Sequence, residues 1–339
     1  MLGTVTRGFL LLLGGVVIVG TALPLLRATA WWVRIFDFPR VQLLFLGAAV
    51  LVLLLLSSRP LRPAGALFLL LLAGSLLYQG WRIYPYTIFA GQQVQGATRE
   101  RPETTVRLLV ANVLMDNRND GDFRRLIAEE QPDLLLVVEP DHWWEERLRP
   151  LAADYPHVLR YPLDNTYGML LYSRHPFTGQ QIHFLIKDDI PSFQVQIRLP
   201  FGHRVDLWGL HPEPPTPQES DSSAPRDAEL LLVGKTVQEL GHPVIVAGDL
   251  NDVAWSHTTR LFQRISGLLD PRIGRGRFST YHARFPFLRW PLDHVFHSDH
   301  FRLVELRVLP NFGSDHFPIL AVLSLESEGR PEQGEPEPE

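Results

Sequence analysis

Three stretches near the start of the chain, residues 8–26, 41–58 and 63–81, carry no charge over about the length a bilayer-spanning helix needs. The second, VQLLFLGAAVLVLLLLSS, has no polar face and so does not read as a soluble helix buried on one side. From about residue 104 the pattern changes to short apolar runs of strand length, each stopped by a polar residue or a structure breaker. TVRLLVANV carries Asn112 near its end, PDLLLVVEP stops at Glu139, HRVDLWGLHPEPP at His211, and HPVIVAGDLN at Asp249. YGMLLYSRHP, WPLDHVFHS and FPILAVLSL read as further strands, and GSDHF precedes the last. DGDFRRLIAEEQ, with Asp120 as its cap, and APRDAELLLVGKTVQELG predict helices. Strands apolar on both faces are covered on both sides, and sites are built where such strands end. Asp249 and Asn251 are two apart, so on an extended chain they share a face.

These patterns divide the chain into a membrane anchor of three helices (1–82), a linker without sustained periodicity (83–103), an α/β domain (104–325) and an acidic, Pro-rich tail (326–339) expected to be disordered. The first apolar stretch has a second reading as a cleavable signal peptide, with Arg7 before it and Ala28-Thr29-Ala30 after it. Arg7, Arg59 and Arg62 would share one side of the membrane, and Arg27, Arg34, Arg40 and Arg82 the other, so the count of cations is nearly tied. Trp31 and Trp32 suit an interfacial segment, and SSRPLRP suits a tight cytoplasmic hairpin. The expectation is a multi-pass protein of the inner membrane with everything after residue 85 outside the cytoplasm. A linker of about 20 residues spans roughly 25 Å root-mean-square, which keeps the later domain near the bilayer. Residues 213–225, EPPTPQESDSSAP, form a long polar loop inside that domain.

Composition narrows the chemistry. The chain has no cysteine, which excludes disulfides, thiolate metal sites and cysteine nucleophiles. All 13 histidines fall between His142 and His316, so the ionisable chemistry belongs to the later domain. A net charge of −5 argues against a general nucleic-acid coat. No Gly-x-Ser-x-Gly elbow is present. His294, His297 and His300 suggest a zinc cluster, but residues three apart on a strand point to opposite faces.

Taken singly, Asn112 also reads as a turn residue, Glu139 as an exposed strand-end charge, His211 as a packed histidine, and Asp315-His316 as a cap. Their joint order in one domain, with Asp-x-Asn and Asp293 between, is a sharper signal. The motifs VANV, LVVEP, YGMLLYSRHP, GLHPEPP, VAGDLND, PLDHVF and GSDHFPILAVL together resemble the endonuclease/exonuclease/phosphatase family over about residues 104–325. The fold class expected is N-terminal transmembrane helices, from the apolar stretches, followed by the α/β domain, for which the resemblance implies a four-layer α/β sandwich of two packed mixed β-sheets, with a site where strand ends converge. It also implies a phosphoric ester hydrolase using Mg²⁺, or Mn²⁺ in its place. Hydrolysis of a phosphate ester adds charge to an anion, so a hard cation held by oxygen ligands is the natural stabiliser. Glu139 is the best such ligand, with Asn112 offering a neutral oxygen and Asp315 a second carboxylate. His316 suits proton transfer or a bond to a phosphate oxygen, with Asp293 orienting its ring and favouring its charged form. By the resemblance, Asp249 positions the attacking water, Asn251 donates to the phosphoryl oxygen and His211 lies near the leaving group.

HPEPP departs from the nuclease branch of that family, where an Asn-containing segment is expected, and no basic stripe with interleaved aromatics appears. Segment 272–289 is a local exception: Arg272, Arg275, Arg277, Arg284 and Arg289 alternate with Phe and Tyr, and Arg275 and Arg277 are the candidates for gripping an anionic substrate. The other reading of the segment is a solvated loop. The expected partners are the bilayer and a lipid-derived phosphodiester or phosphomonoester. The alternatives are a metal-dependent nuclease, with nucleic acid as substrate only, and a non-catalytic membrane binding module. The last is disfavoured because Glu139, Asp249 and His316 are all present.

Overall fold

The computed structural model describes residues 4–57, 63–97 and 103–326. Four helices open the chain: α1 (Thr4–Ala22), the single-turn α2 (Trp31–Arg34), α3 (Arg40–Leu55) and α4 (Pro63–Ile83). α1, α3 and α4 pack around Leu10, Val17, Leu43, Val50 and Leu72. Their other faces expose Phe9, Leu12, Phe45, Leu70 and Leu77. The stretches Val5–Leu26 and Pro63–Tyr86 are long and apolar enough to cross a membrane. The middle expectation is altered. α3 has 16 residues, and it counts as a third crossing only when joined to Trp31–Asp37, from which it bends by 71°. Sixteen residues rise about 24 Å, short of a hydrocarbon core of about 30 Å. Pro39, at the N-cap of α3, has no N–H to continue a helix through the bend. The hairpin with Arg59 and Arg62, and all of the acidic tail but Glu326, lie outside the described residues.

At one end of the bundle a polar chain links its helices. Gln79 donates to Thr21 Oγ1 at 2.9 Å, Arg40 donates to Gln79 Oε1 at 3.0 Å, and Arg40 also pairs with Asp37. Buried charges are tolerated only when paired and hydrogen-bonded, and Arg40 and Asp37 are both buried.

The later domain is built from α5 (Asp120–Glu130), α6 (His142–Leu148), α7 (Ala224–Gln238), α8 (His257–Ser266) and eleven strands. The strands are β1 (Thr105–Asn112), β2 (Leu134–Val138), β3 (His157–Tyr161), β4 (Met169–Ser173), β5 (Phe177–His183), β6 (Ser192–Arg198), β7 (Arg204–Leu210), β8 (Val244–Asp249), β9 (Asp293–His297), β10 (Phe301–Val308) and β11 (Ile319–Leu325). One sheet runs β10-β11-β1-β2-β4-β3 and the other β5-β6-β7-β8-β9. Both are mixed, with β1–β2 and β7–β8 the parallel pairs. Alternate side chains explain the layers. Leu108, Val110, Leu136 and Val138 meet Val195, Leu207, Ile245 and Val295 between the sheets. Leu109, Ala111, Leu135 and Val137 face outward under Phe123 of α5 and Trp144 of α6. Trp208, Val246 and Phe296 lie under Leu230 and Val233 of α7 and Phe262 of α8. The result is the expected four-layer sandwich. α5 is capped by Asn119, whose side chain accepts from Asp122 N, and not by Asp120. Asp120 sits inside the first turn and takes ion pairs from Arg124 and Arg147.

Two junctions hold the helices to the domain. Trp255 donates its indole N–H to Asp37 O, Tyr86 its hydroxyl to Ala254 O, and Arg82 bonds Trp255 O. Phe38 meets Trp290 edge-on at 5.7 Å. The segment read as a linker is docked over its described residues. Val94 is buried in the inter-sheet core, Gln93 Oε1 accepts from Asp270 N, and Leu303 N bonds Gln95 O. A buried valine and paired backbone groups hold this segment on the sheet.

Candidate active site

The site forms where four strands run out and two begin. Asn112 ends β1, Glu139 follows β2, His211 follows β7, Asp249 ends β8, Asp293 opens β9, and Asp315-His316 lead into β11. Close approach of two strands needs a glycine: a Cβ on Gly248 would fall 1.9 Å from Leu210 O, and its φ is 142°. With Leu210 paired to Gly248, and Asp249 to Asp293, the ends of β7, β8 and β9 lie side by side. Glu139 and Asn251 sit at φ of 62° and 51°, a left-handed backbone that non-glycine residues adopt at a cost of about 1–2 kcal/mol. Glu139 is held there by its N–H to Gly168 O at 3.0 Å. Non-glycine residues in this conformation cluster where geometry serves a site.

Asn112 joins two of the carboxylates. Its Nδ2 lies 2.7 Å from Glu139 Oε1 and 3.1 Å from Asp249 Oδ2, while its Oδ1 accepts from Leu114 N at 2.9 Å. Asn112 therefore braces the two carboxylates through its amide nitrogen. His316 Nδ1 is 2.7 Å from Asp293 Oδ2, and its Nε2 is 3.4 Å from Asp249 Oδ2. His211 Nε2 is 3.8 Å from Glu139 Oε1. Asn251 donates its side-chain amide to Pro212 O at 2.9 Å and its backbone N–H to Asp249 Oδ1 at 3.0 Å.

Charge is tuned by burial. Burial pushes the Glu139 carboxyl up to about 7 against the pull of its bond from Asn112. Burial alone would lower His316, but Asp293 and Asp249 favour its imidazolium and raise it to about 10. Asp293 is raised by burial, against the pull of His316. Burial lowers His211, so its ring is neutral near neutral pH.

Two sets of ligand atoms gather within 4.8 Å: Glu139, His211 and Asp249, and Asp249, Asp293 and His316. Nδ1 of His211 and Oδ1 of Asp293 are buried with no hydrogen-bond partner. A buried cluster of carboxylates with orphaned acceptors is a donor set suited to a hard divalent cation. Asp315, expected as a ligand, lines the same cavity but belongs to neither set.

The arginine segment is placed otherwise than expected. Arg272 is buried and bonds Asp270 through two of its nitrogens, at 2.8 Å each. Arg275 bonds Gln92 Oε1 and Val94 O, so it pins the preceding segment to the domain and does not line the cavity. Arg284 bonds Gly313 O, and Arg277 faces a separate cavity. The histidine cluster does not form either: His294 is buried between Arg272 and Asp252 O, and His300 Nδ1 lies 3.0 Å from Ser298 Oγ.

Several supporting residues carried no sequence signal. The Arg226 guanidinium, inside α7, donates to Asn251 O at 2.7 Å and pairs with Asp227 and Asp252. The Tyr281 ring lies tilted against the His316 ring at 4.9 Å, and Ser314 Oγ donates to Asn112 O at 2.8 Å. The cavity over the site holds about 540 Å³. Glu139, Asp249, Asn251, Asp315 and His316 lie on its polar side. Its apolar side comes from Ile35, Phe38 and Pro39, between the first two long helices, and from Leu288, Trp290 and Leu292.

Fold and site together define a two-sheet α/β sandwich with a buried carboxylate–histidine centre at one edge of its sheets. Residues 109–316, more than half of the chain, match the Endonuclease/Exonuclease/phosphatase family, and the chain belongs to it. Solved structures share the fold. The endonuclease/exonuclease/phosphatase from Beutenbergia cavernae is 19% identical, with a TM-score of 0.53 over 66% of this chain and 72% of that one. D. rerio TDP2 complexed with a single-strand DNA product is 18% identical, with a TM-score of 0.56 over 65% and 99%. The catalytic domain of human Nocturnin with a bound sulfate anion is 18% identical, with a TM-score of 0.53 over 66% and 95%. No curated protein matches the sequence.

Proposed function

We infer that the chain is a membrane-anchored, divalent-metal-dependent phosphoesterase that takes a lipid-derived phosphodiester or phosphomonoester at the bilayer surface. The observation that carries this reading is the second wall of the cavity: Ile35, Phe38 and Pro39, from the segment between two apolar helices, face the carboxylates across it. A site with one polar and one apolar wall, opening beside a helix bundle, matches a phosphate ester that carries an acyl chain. Exposed Leu288 extends this apolar wall toward solvent. A nuclease would need a track of cations along the strand, and Arg272 and Arg275 are already paired within the protein.

A bound Mg²⁺ or Mn²⁺ supplies charge neutralisation at the phosphate oxygens. Glu139, with Asp315 or Asp249, would hold the ion, and Asn112 keeps the carboxylates in register. Asp249 accepts the proton of the attacking water. The imidazolium of His316, held by Asp293, donates from Nε2 to a phosphoryl oxygen. Asn251 has a second amide N–H for the same oxygen group, and neutral His211 stands near the leaving group.

The test is a side-by-side assay of the full chain in lipid nanodiscs with Mg²⁺ on mixed phospholipid vesicles, supercoiled DNA and single-stranded RNA. Release of phosphate or headgroup from the vesicles, abolished by chelation, is the expected result. Rapid DNA nicking with untouched vesicles would replace this reading with the nuclease one. No turnover of any of the three would favour the binding-module alternative. The reading also places the domain outside the cytoplasm, on the inner membrane. A reporter fused after residue 85 should signal there, and cytoplasmic signal would reverse the orientation.

A further inference from the structure

A second cavity, of about 980 Å³, opens between α3 and the α/β domain. Val41, Gln42 and Phe45 of α3 form one wall, and Arg277, Phe287 and Arg289 stand on the other. Among the described residues no acidic side chain lines it. Phe45 is 70% exposed and Phe287 85% exposed, so the cavity is continuous with the outward face of the helix bundle. Gln42 donates to Phe287 O at 2.8 Å and closes one end.

Arg277 is poised differently from the other arginines of its segment. Arg277 has an exposed side chain with no hydrogen-bond or ionic partner among the described residues. Arg289 lies over the Phe317 ring at 4.8 Å; its Nη2 donates to Ala283 O at a long 3.4 Å, and no hydrogen bond engages its Nη1 among the described residues. Two guanidinium groups with free N–H donors and no acid beside them are matched by an anionic oxygen. Val41 and Phe45 lie one helical turn apart, about 6 Å along α3. A molecule with its anion at Arg277 and Arg289 would therefore lay an apolar tail along α3 toward the bundle.

We propose that this cavity is a binding site for an anionic phospholipid of the surrounding bilayer, distinct from the catalytic cavity. The phosphate pairs with Arg277 and Arg289, and the first part of an acyl chain lies on Val41 and Phe45. The loop from 286 to 290 serves both cavities: Pro286, Phe287 and Arg289 face this one, and Leu288 and Trp290 face the catalytic one. The proposal does not depend on which ester the catalytic cavity turns over.

The test measures binding, with chelator present so that turnover does not consume the probe. Full-length protein in detergent is titrated with phosphatidylglycerol and, separately, with phosphatidylcholine, and bound lipid is counted by native mass spectrometry. Tight binding of one phosphatidylglycerol, with phosphatidylcholine at least about tenfold weaker, is expected, since a net-anionic headgroup pairs with the two cations. Arg277→Glu should weaken phosphatidylglycerol by about tenfold or more, and Arg289→Gln should act in the same direction. Millimolar glycerol 3-phosphate should not compete, because it lacks the chain that lies on Val41 and Phe45. Equal affinity for the two lipids, or phosphatidylglycerol binding untouched by Arg277→Glu, would overturn the site. Arg277 is exposed and unpaired, so Arg277→Glu carries the test even where Arg289→Gln disturbs folding. Loss of lipid turnover with binding retained would count against the proposed function and leave this site standing.

Discussion

Glu139→Gln should lower the rate of phosphate-ester hydrolysis by at least about 10²–10³-fold, the scale of losing one electrostatic stabiliser in a preorganised site. It should also weaken Mg²⁺ and Mn²⁺ binding measured by calorimetry. Size and the bond to Asn112 can both be kept by the amide, so the loss reports charge. The same residue sets a pH dependence. Burial holds its carboxyl near 7, so at acid pH a proton competes with the ion for this oxygen. Metal affinity of the native chain should rise as pH increases from about 6 to about 8, by up to tenfold per unit below about 7. In the Gln variant that slope should vanish. A folded variant that keeps native rate and native metal affinity would remove Glu139 from the site.

The second large effect is expected at His316. His316→Ala should reduce the rate by about 10²–10⁴-fold, the range for losing a positioned proton donor, with metal affinity changed only a few-fold. The histidine is also structural: its removal leaves Asp293 buried without a cation, and such orphaned charges destabilise by about 3–5 kcal/mol. His316→Gln is the useful companion, because it keeps a hydrogen-bond donor toward Asp293 and removes the charge. The sign of the pH effect is fixed by the raised value. Stabilisation from the imidazolium is complete below the ordinary histidine range and falls progressively from there until pH passes about 10, while the folded-state ring itself stays charged to about that point. His316 should therefore add no limb to the rate profile between about pH 6 and about pH 9. A fully active, well-folded His316→Gln would show that its charge is not used.

The core strands were legible because burial on both faces writes a continuous apolar run. β2, β4, β8, β9 and β11 are buried at every position, and each stood out in the sequence. β3, β5, β6 and β10 carry half-buried or exposed positions that break the run, and none was read as a strand. α8 was missed for a related reason: its apolar residues are few and separated by Thr, Arg and Gln. The residues at the ends of core strands were legible as a set, since such positions carry little packing duty and their polar types need another explanation.

What the sequence by itself determined is the kind of chain this is: apolar helices first, an α/β domain of short apolar strands after them, and an Asn, Glu, His, Asp, Asp-His series at strand ends, whose family resemblance in turn implied the two-sheet sandwich. Those features are local, written in periodicity and in the residue at each strand's end. Tertiary structure decided which atoms meet. It turned the Asn112 amide toward two carboxylates, paired His316 with Asp293, and separated Arg277 from the catalytic cavity. It also brought Ile35 and Phe38 across from Asp249, more than two hundred residues away in sequence. No spacing rule could have placed them, because long-range contacts depend on how whole sheets and helices dock, and many sequences of the same local pattern would dock otherwise.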